Sequence, residues 1–275
     1  MRKRFPNPLH GAVLAVVIIN GLFPVIWIAL TALKSETELV RTPITWLPHD
    51  PTLENFARAF REQPLLRFLV NSTGIALCST SLCVAVSTAA AYVFARLEVP
   101  GRGALLTVLV GCAMCPPAAL LTPLFGIMRD LNLLNTWVAL ILPNAVQSLP
   151  VCTLILVAFF RSIPRDLEAA AMIDGCSRTG TLLRVILPLS GPGIFTAAIL
   201  AFVNSWDEFL LALTFNAAPA NRTLPVGIML YQGEFTFPWP LIAAALVVAI
   251  VPLALLIVLF QERVIGGLTA GAVKG

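Results

Sequence analysis

The stretch "EAAAMIDGCSRTGTLLRVILPLSGPGI", residues 168–194, places two acids, two arginines and an internal glycine between runs of almost unbroken hydrophobicity. Just upstream, Pro164 suits a first-turn position and Ser162 can cap ahead of it. Asp166 and Glu168 complement the positive helix end, and Gly175 can close the helix with a positive φ. These residues predict a helix of about ten residues. A second helix is expected after Ser177, carrying Leu182, Leu183, Val185 and Ile186 and ending before Pro188. The segment therefore reads as helix, glycine elbow, helix. Helices this short are marginal alone and need a surface to dock on. Either another protein or the ends of the chain's own apolar segments would serve. A DNA-binding helix-turn-helix is disfavoured, because the elbow is tethered at both ends and its local charge is only slightly positive, so no nucleic-acid partner is expected.

The surroundings explain why the stretch stands out. Of 275 residues, 58% are hydrophobic and 12% are charged, against about 25% charged in a soluble domain. This is the composition of an integral membrane protein. Six long apolar segments, at roughly 11–33, 70–95, 104–128, 136–160, 190–214 and 240–261, approach or exceed the roughly 20 residues that cross a bilayer as helix. The basic start at Arg2, Lys3 and Arg4 resembles a signal peptide's, but the apolar run behind it is too long and lacks a small-residue cleavage site, so it reads as a retained first span. The expected fold is all-α, with six transmembrane helices.

Loop charge sets the expected orientation. With the N-terminus inside, Arg2, Lys3, Arg4, Arg96, Arg102, Arg161, Arg165, Arg178, Arg184, Arg263 and Lys274 fall on the inner side, eleven against seven outside, a moderate bias in the positive-inside sense. Both termini, and the 168–194 stretch, are then cytoplasmic.

Cys78, Cys83, Cys112, Cys115, Cys152 and Cys176 lie in apolar segments or in the inner loop, which argues against a disulfide framework. Cys112 and Cys115 form a CxxC without a neighbouring histidine and read as small buried apolar residues rather than a redox or metal pair. His10 and His49 are the two histidines, one terminal and one in a loop, so neither histidine catalysis nor a metal site is expected. No GxxxxGK[ST] is present, and ATP hydrolysis cannot be assigned to the chain. The absence of an internal duplication weakens an inverted-repeat secondary transporter.

Charge at mid-membrane is costly, so Asp207 and Glu208 in the fifth segment should face a cavity or another subunit. On a continuous helix Asn204, Asp207, Glu208 and Leu211 share one face while Trp206 points elsewhere. Asn144, Gln147 and Ser148 lie near Pro143 and Pro150 in the fourth segment, where prolines permit kinks. For Asn204, Asp207 and Glu208, contact with a transported solute and hydrogen bonding to a partner subunit are equally open, while the fourth-segment residues line a pathway or mark flex points. Between the first two spans, Phe56, Ala59 and Phe60 with Arg58 and Arg61 predict an amphipathic helix on the outer surface.

"EAAAMIDG" followed by "ILPLSGPG" resembles the EAA loop of permease subunits from bacterial ATP-binding-cassette (ABC) importers. "NSTGIAL" at 71–77, "YVFARLEVPGR" at 92–102, "FVNSWDEFLLALTF" at 202–215 and "GLTAGAVKG" at 267–275 are similar to the carbohydrate branch of that family, whose best-known type is the smaller permease of the maltose transporter. The resemblance covers nearly the whole chain. It implies the type I importer permease fold, with an N-terminal helix and external segment (1–69), a permease core (70–262) holding the EAA loop at about 161–189, and a cytoplasmic tail (263–275). It implies a sugar importer in the bacterial inner membrane, of which this chain is a non-catalytic permease subunit. The partners would be a second related permease, a dimer of nucleotide-binding subunits carrying ATP and Mg, and an extracytoplasmic binding protein, with membrane lipid around the spans.

By the same resemblance Leu167, Glu168, Ala169, Ala170, Asp174 and Gly175 belong to the coupling helix and its elbow. The alanines allow close approach to the ATPase, and Glu168 offers a charge to a basic residue on it. Gly271, Ala272, Val273, Lys274 and Gly275 would insert between the two ATPase subunits. Asn144, Gln147, Asn204, Trp206, Asp207 and Glu208 are the pathway candidates. Ala218, Pro219, Ala220 and Asn221 form the expected tip of an outer loop that reaches the binding protein. Disaccharides, oligosaccharides, amino sugars and glycerol-phosphate-type solutes all remain open as cargo.

Overall fold

The computed structural model describes residues 8–233 and 236–270, with side chains described over 11–233 and 236–260. Every regular element among the described residues is helical. Four helices are long and apolar enough to cross a membrane: Gly11–Ala32, Leu65–Arg96, Val138–Ser162 and Trp239–Phe260. Two bent pairs, Arg102–Ala113 with Pro117–Asp130 and Arg178–Leu189 with Gly191–Trp206, bring the number to six when each pair is taken as one span.

The bends have identifiable causes. The third span, expected at 104–128, is broken by 91°. Pro116 holds extended backbone (ψ 128°) and Pro117 opens the next helix, because a residue before proline is driven out of the helical region. Cys112 and Cys115 lie at this break and are exposed, so the expectation that the CxxC is buried fails. The buried reading holds for Cys83 and Cys152. The second inner helix also departs from expectation. It continues past Pro188 to Leu189 because Leu182–Ile186 widen into a π-turn, which relieves the clash a proline makes with the carbonyl four residues back. The 81° bend then comes at Ser190–Gly191.

The chain divides into two compact units. The first runs to Leu66 and resumes over Gly227–Pro252. Here Ala32, Ala243 and Ala244 pack with Ile28, Phe56 and Val247, while Val13 to Ile26 of the first helix present exposed apolar side chains suited to lipid. The amphipathic helix is present as Glu54–Glu62, with Ala59 buried and Arg58 paired to Glu36 (3.1 Å) and Glu62 (3.0 Å). Asn55, which the sequence reading passed over, donates to the carbonyls of Ala32 (2.8 Å) and Lys34 (2.9 Å) and so closes the first helix. Lys34 is 1% exposed; its ammonium bonds the Thr45 carbonyl and lies 5.0 Å over the Trp27 ring. Burial pushes the Glu38 carboxyl up, but bonds from the His49 N–H, the Thr45 hydroxyl and the His49 ring outweigh it and hold the group below its usual range. Burial, with Glu62 nearby, pushes the Tyr231 phenol up to about 12, and its hydroxyl donates to the Ala59 carbonyl.

The second unit spans Arg67–Val226 and resumes at Leu253. Its main core joins the Leu65–Arg96, Val138–Ser162 and Gly191–Trp206 helices through Ala91, Ala95, Ala145, Ala197 and Ala201, around Leu156 and Phe160. Lipid is as apolar as leucine, so association here rests on close backbone approach, which small residues permit. A second cluster gathers Ile75, Met128, Leu140, Leu211 and Phe215.

Candidate functional site

The segment that resembles the EAA loop is built by its own caps. Pro164 stands at the N-cap of the Arg165–Ile173 helix. Ser162 does not cap it; its hydroxyl donates back to the Phe159 carbonyl (2.7 Å) and closes the preceding helix. At the far end, Cys176 N–H reaches Ala171 O (2.9 Å) and Gly175 N–H reaches Met172 O (3.1 Å), the paired bonds of a Schellman cap. Gly175 has φ +88°, which an L side chain adopts only with strain. Ser177 then accepts from Gly180 N–H (3.1 Å) and starts the second helix.

Glu168 does not present its charge outward, as the sequence reading expected. It forms an ion pair with Arg96 at the end of the Leu65–Arg96 helix, with the two side chains 10% and 5% exposed. Arg96 also donates to the Ile163 carbonyl (2.8 Å), and Tyr92 donates to the Arg178 carbonyl (3.4 Å). The end of one spanning helix therefore grips the segment before, within and after the short Arg165–Ile173 helix. The physical reason is burial: a carboxylate on the inward face of a helix needs a cation. The outward face is left to Leu167, Ala169, Ala170, Met172, Ile173, Asp174 and Gly175, all exposed, with Ile173 at 85%.

The mid-membrane polar residues separate into two groups. Asn144, 1% exposed, donates to Ser205 (3.1 Å), whose hydroxyl contacts Ser79 (3.4 Å), so one polar chain ties three helices. Trp206 is buried and stacks on Phe202 at 5.7 Å. Both are held inside the protein. The shared face expected for Asn204, Asp207, Glu208 and Leu211 does not form, because the helix stops at Trp206. Glu208 instead accepts from the N–H groups of Leu211 (2.6 Å) and Ala212 (2.9 Å) and caps the Leu210–Phe215 helix. That placement satisfies a carboxylate with backbone donors, as at any helix start. Asn204 bonds Ser148 (3.0 Å) yet stays exposed, as does Asp207, and Gln147 is half-buried.

The loop at 216–222 is strapped rather than free. Asn71 donates to the carbonyls of Ala220 (3.0 Å) and Arg222 (2.8 Å), and Ala218 N–H reaches the Asn135 side chain (2.7 Å). Asn221 donates to the Asn135 carbonyl. Pro219 remains exposed, while Ala218, Ala220 and Asn221 are half-buried. Asn135 occupies the left-handed region at φ 58°, a place asparagine tolerates. The tail residues 271–275 lie outside the described residues.

The Arg165–Ile173 helix thus combines a closed C-terminal cap, an exposed face and an ion pair to the end of a spanning helix. The family model for the binding-protein-dependent transport system inner membrane component matches residues 72–268. The chain belongs to this family. It is 62% identical over 269 residues to the sulfoquinovosyl glycerol transport system permease protein SmoH of Agrobacterium fabrum (strain C58 / ATCC 33970), spanning 98% of this chain and 94% of that protein. It is 40% identical over 269 residues to the trehalose transport system permease protein SugB of Mycobacterium tuberculosis (strain CDC 1551 / Oshkosh), spanning 97% of each. A solved chain of a bacterial ABC transporter involved in alginate import matches the fold with a TM-score of 0.79 at 18% identity, over 92% of this chain and 94% of that one. The fold is thus the type I ABC importer permease fold, and the chain is a multi-pass inner membrane component of a binding-protein-dependent transport system.

Proposed function

We propose that the chain is the permease subunit of an ATP-driven importer for a polar glycoside of the sulfoquinovosyl glycerol kind. It forms half of the translocation pathway beside a second, related permease. The observation that carries the reading is the 62% identity to a sulfoquinovosyl glycerol permease over nearly the full length of both chains. ATP and Mg act in a separate dimer of nucleotide-binding subunits, and both termini are cytoplasmic, as the inner basic loops suggest. The coupling contact is the exposed Leu167, Ala169, Ala170, Ile173, Asp174 and Gly175 face, an apolar surface that a water-facing helix would not leave bare without a partner. Glu168 acts from behind by locking the helix to Arg96. Asn204, Asp207 and Gln147 line the pathway, where hydroxyls of a sugar find amide and carboxylate partners. Pro219 at the strapped outer loop contacts the binding protein, and residues 271–275 reach between the ATPase subunits.

Deleting the chain's gene and following uptake of labelled sulfoquinovosyl glycerol and of trehalose tests this. Loss of the sulfonated glycoside's uptake alone is expected. Loss of trehalose uptake alone would transfer the assignment to the disaccharide.

A further inference from the structure

Four arginines converge where the membrane helices end. Arg96, Arg102, Arg161 and Arg165 line one cavity of about 430 Å³, together with Ala95, Ser162, Ile163 and Pro164, and no acid lines it. Arg96 is neutralised by Glu168 from outside the cavity. Arg102, Arg161 and Arg165 make no ion pair among the described residues. Glu98 shares a neighbouring hollow with Arg102 without pairing to it. Three guanidinium groups without acidic partners around one space repel one another, and an anion between them relieves that repulsion.

Position identifies the anion. Arg102 opens the Arg102–Ala113 helix, which has no buried residue and exposes Leu105, Val108 and Val110. An exposed apolar helix in a membrane protein lies against acyl chains, so the arginine at its end stands at headgroup depth. Arg161 sits in the last turn of the Val138–Ser162 span, at the corresponding level. Basic pockets between spans at this depth suit phosphate-bearing headgroups, and guanidinium forks match phosphate oxygens bidentately. Pro164 and Arg165 at the start of the short helix border the cavity, but the exposed apolar residues of that helix, Leu167 and Ile173, do not line it, which favours a headgroup over the protein that the helix is proposed to meet. We propose that the cavity walled by Arg102, Arg161 and Arg165 holds the phosphodiester headgroup of an anionic phospholipid of the inner leaflet, with its acyl chains along the Arg102–Ala113 helix. Zwitterionic lipid is disfavoured, since its choline would meet the same positive wall.

Native mass spectrometry of the full chain, released from detergent micelles doped with phosphatidylglycerol or phosphatidylcholine, reads this directly. Wild type should retain phosphatidylglycerol in preference to phosphatidylcholine, and excess inorganic phosphate should not displace it. The triple variant Arg102→Gln, Arg161→Gln, Arg165→Gln should lose that preference by roughly tenfold or more, while the matching triple lysine variant keeps most of it. A variant control at Arg222→Gln should retain lipid as wild type does. Equal phosphatidylglycerol retention by wild type and the triple glutamine variant would overturn the proposal, whatever that variant does to ATPase attachment. So would displacement of the lipid by inorganic phosphate, which would make the site one for the free anion.

Discussion

At the scale of single residues, the Arg96–Glu168 pair has the largest consequence. Both side chains are almost wholly buried, so removing one leaves the other as an uncompensated buried charge, a loss of about 3–5 kcal/mol. Arg96→Ala and Glu168→Ala should each lower resistance to unfolding in detergent by that order. The double variant Arg96→Met, Glu168→Leu should recover most of it, because an apolar pair of similar volume avoids the desolvation cost. Equal stability of the single variants and wild type would remove the grip from the structure. The sequence offered Glu168 as an outward charge because its place in the EAA element is local information. Its partner lies in another helix, and only the fold brings Arg96 to it. Asn55, Asn71 and Asn135 went unread for the same reason, since each bonds a backbone carbonyl or amide distant in sequence.

At the scale of elements, the caps were legible and the breaks were less so. Gly175, Ser177 and the acids of the first turn encode the elbow locally, and the Arg165–Ile173 helix falls where they placed it. The interruption at Asp207 was hidden, because a carboxylate in an apolar run reads equally as a pathway group or as a cap for a helix that restarts. Glu208 is the latter. The elbow geometry itself is testable through the positive φ of Gly175. Asparagine tolerates that region better than alanine, and a β-branched residue tolerates it least. Binding-protein-stimulated ATP hydrolysis by the assembled transporter should therefore fall in the order wild type, Gly175→Asn, Gly175→Ala, Gly175→Val, with membrane insertion unchanged. A flat series would show that the turn after the coupling helix does not govern coupling.

At the scale of the whole molecule, six apolar runs were enough to name the membrane class, because hydrocarbon forces each crossing to be a long helix. The same rule could not reveal that two helix pairs are bent by 91° and 81°, since length and hydropathy carry no direction. Family membership places the chain among permeases that depend on a binding protein, and the central proposal is that its transport is driven by ATP through the exposed face around Ile173. The most direct measurement is uptake into proteoliposomes holding the chain with its cognate permease and nucleotide-binding subunits, with loaded binding protein outside and ATP inside. Uptake should require both ATP and the binding protein, and Ile173→Glu, which places a charge on the 85% exposed contact residue, should abolish it without loss of insertion. Uptake driven by an ion gradient without ATP, or full ATP-dependent uptake by the Ile173→Glu variant, would contradict the proposal.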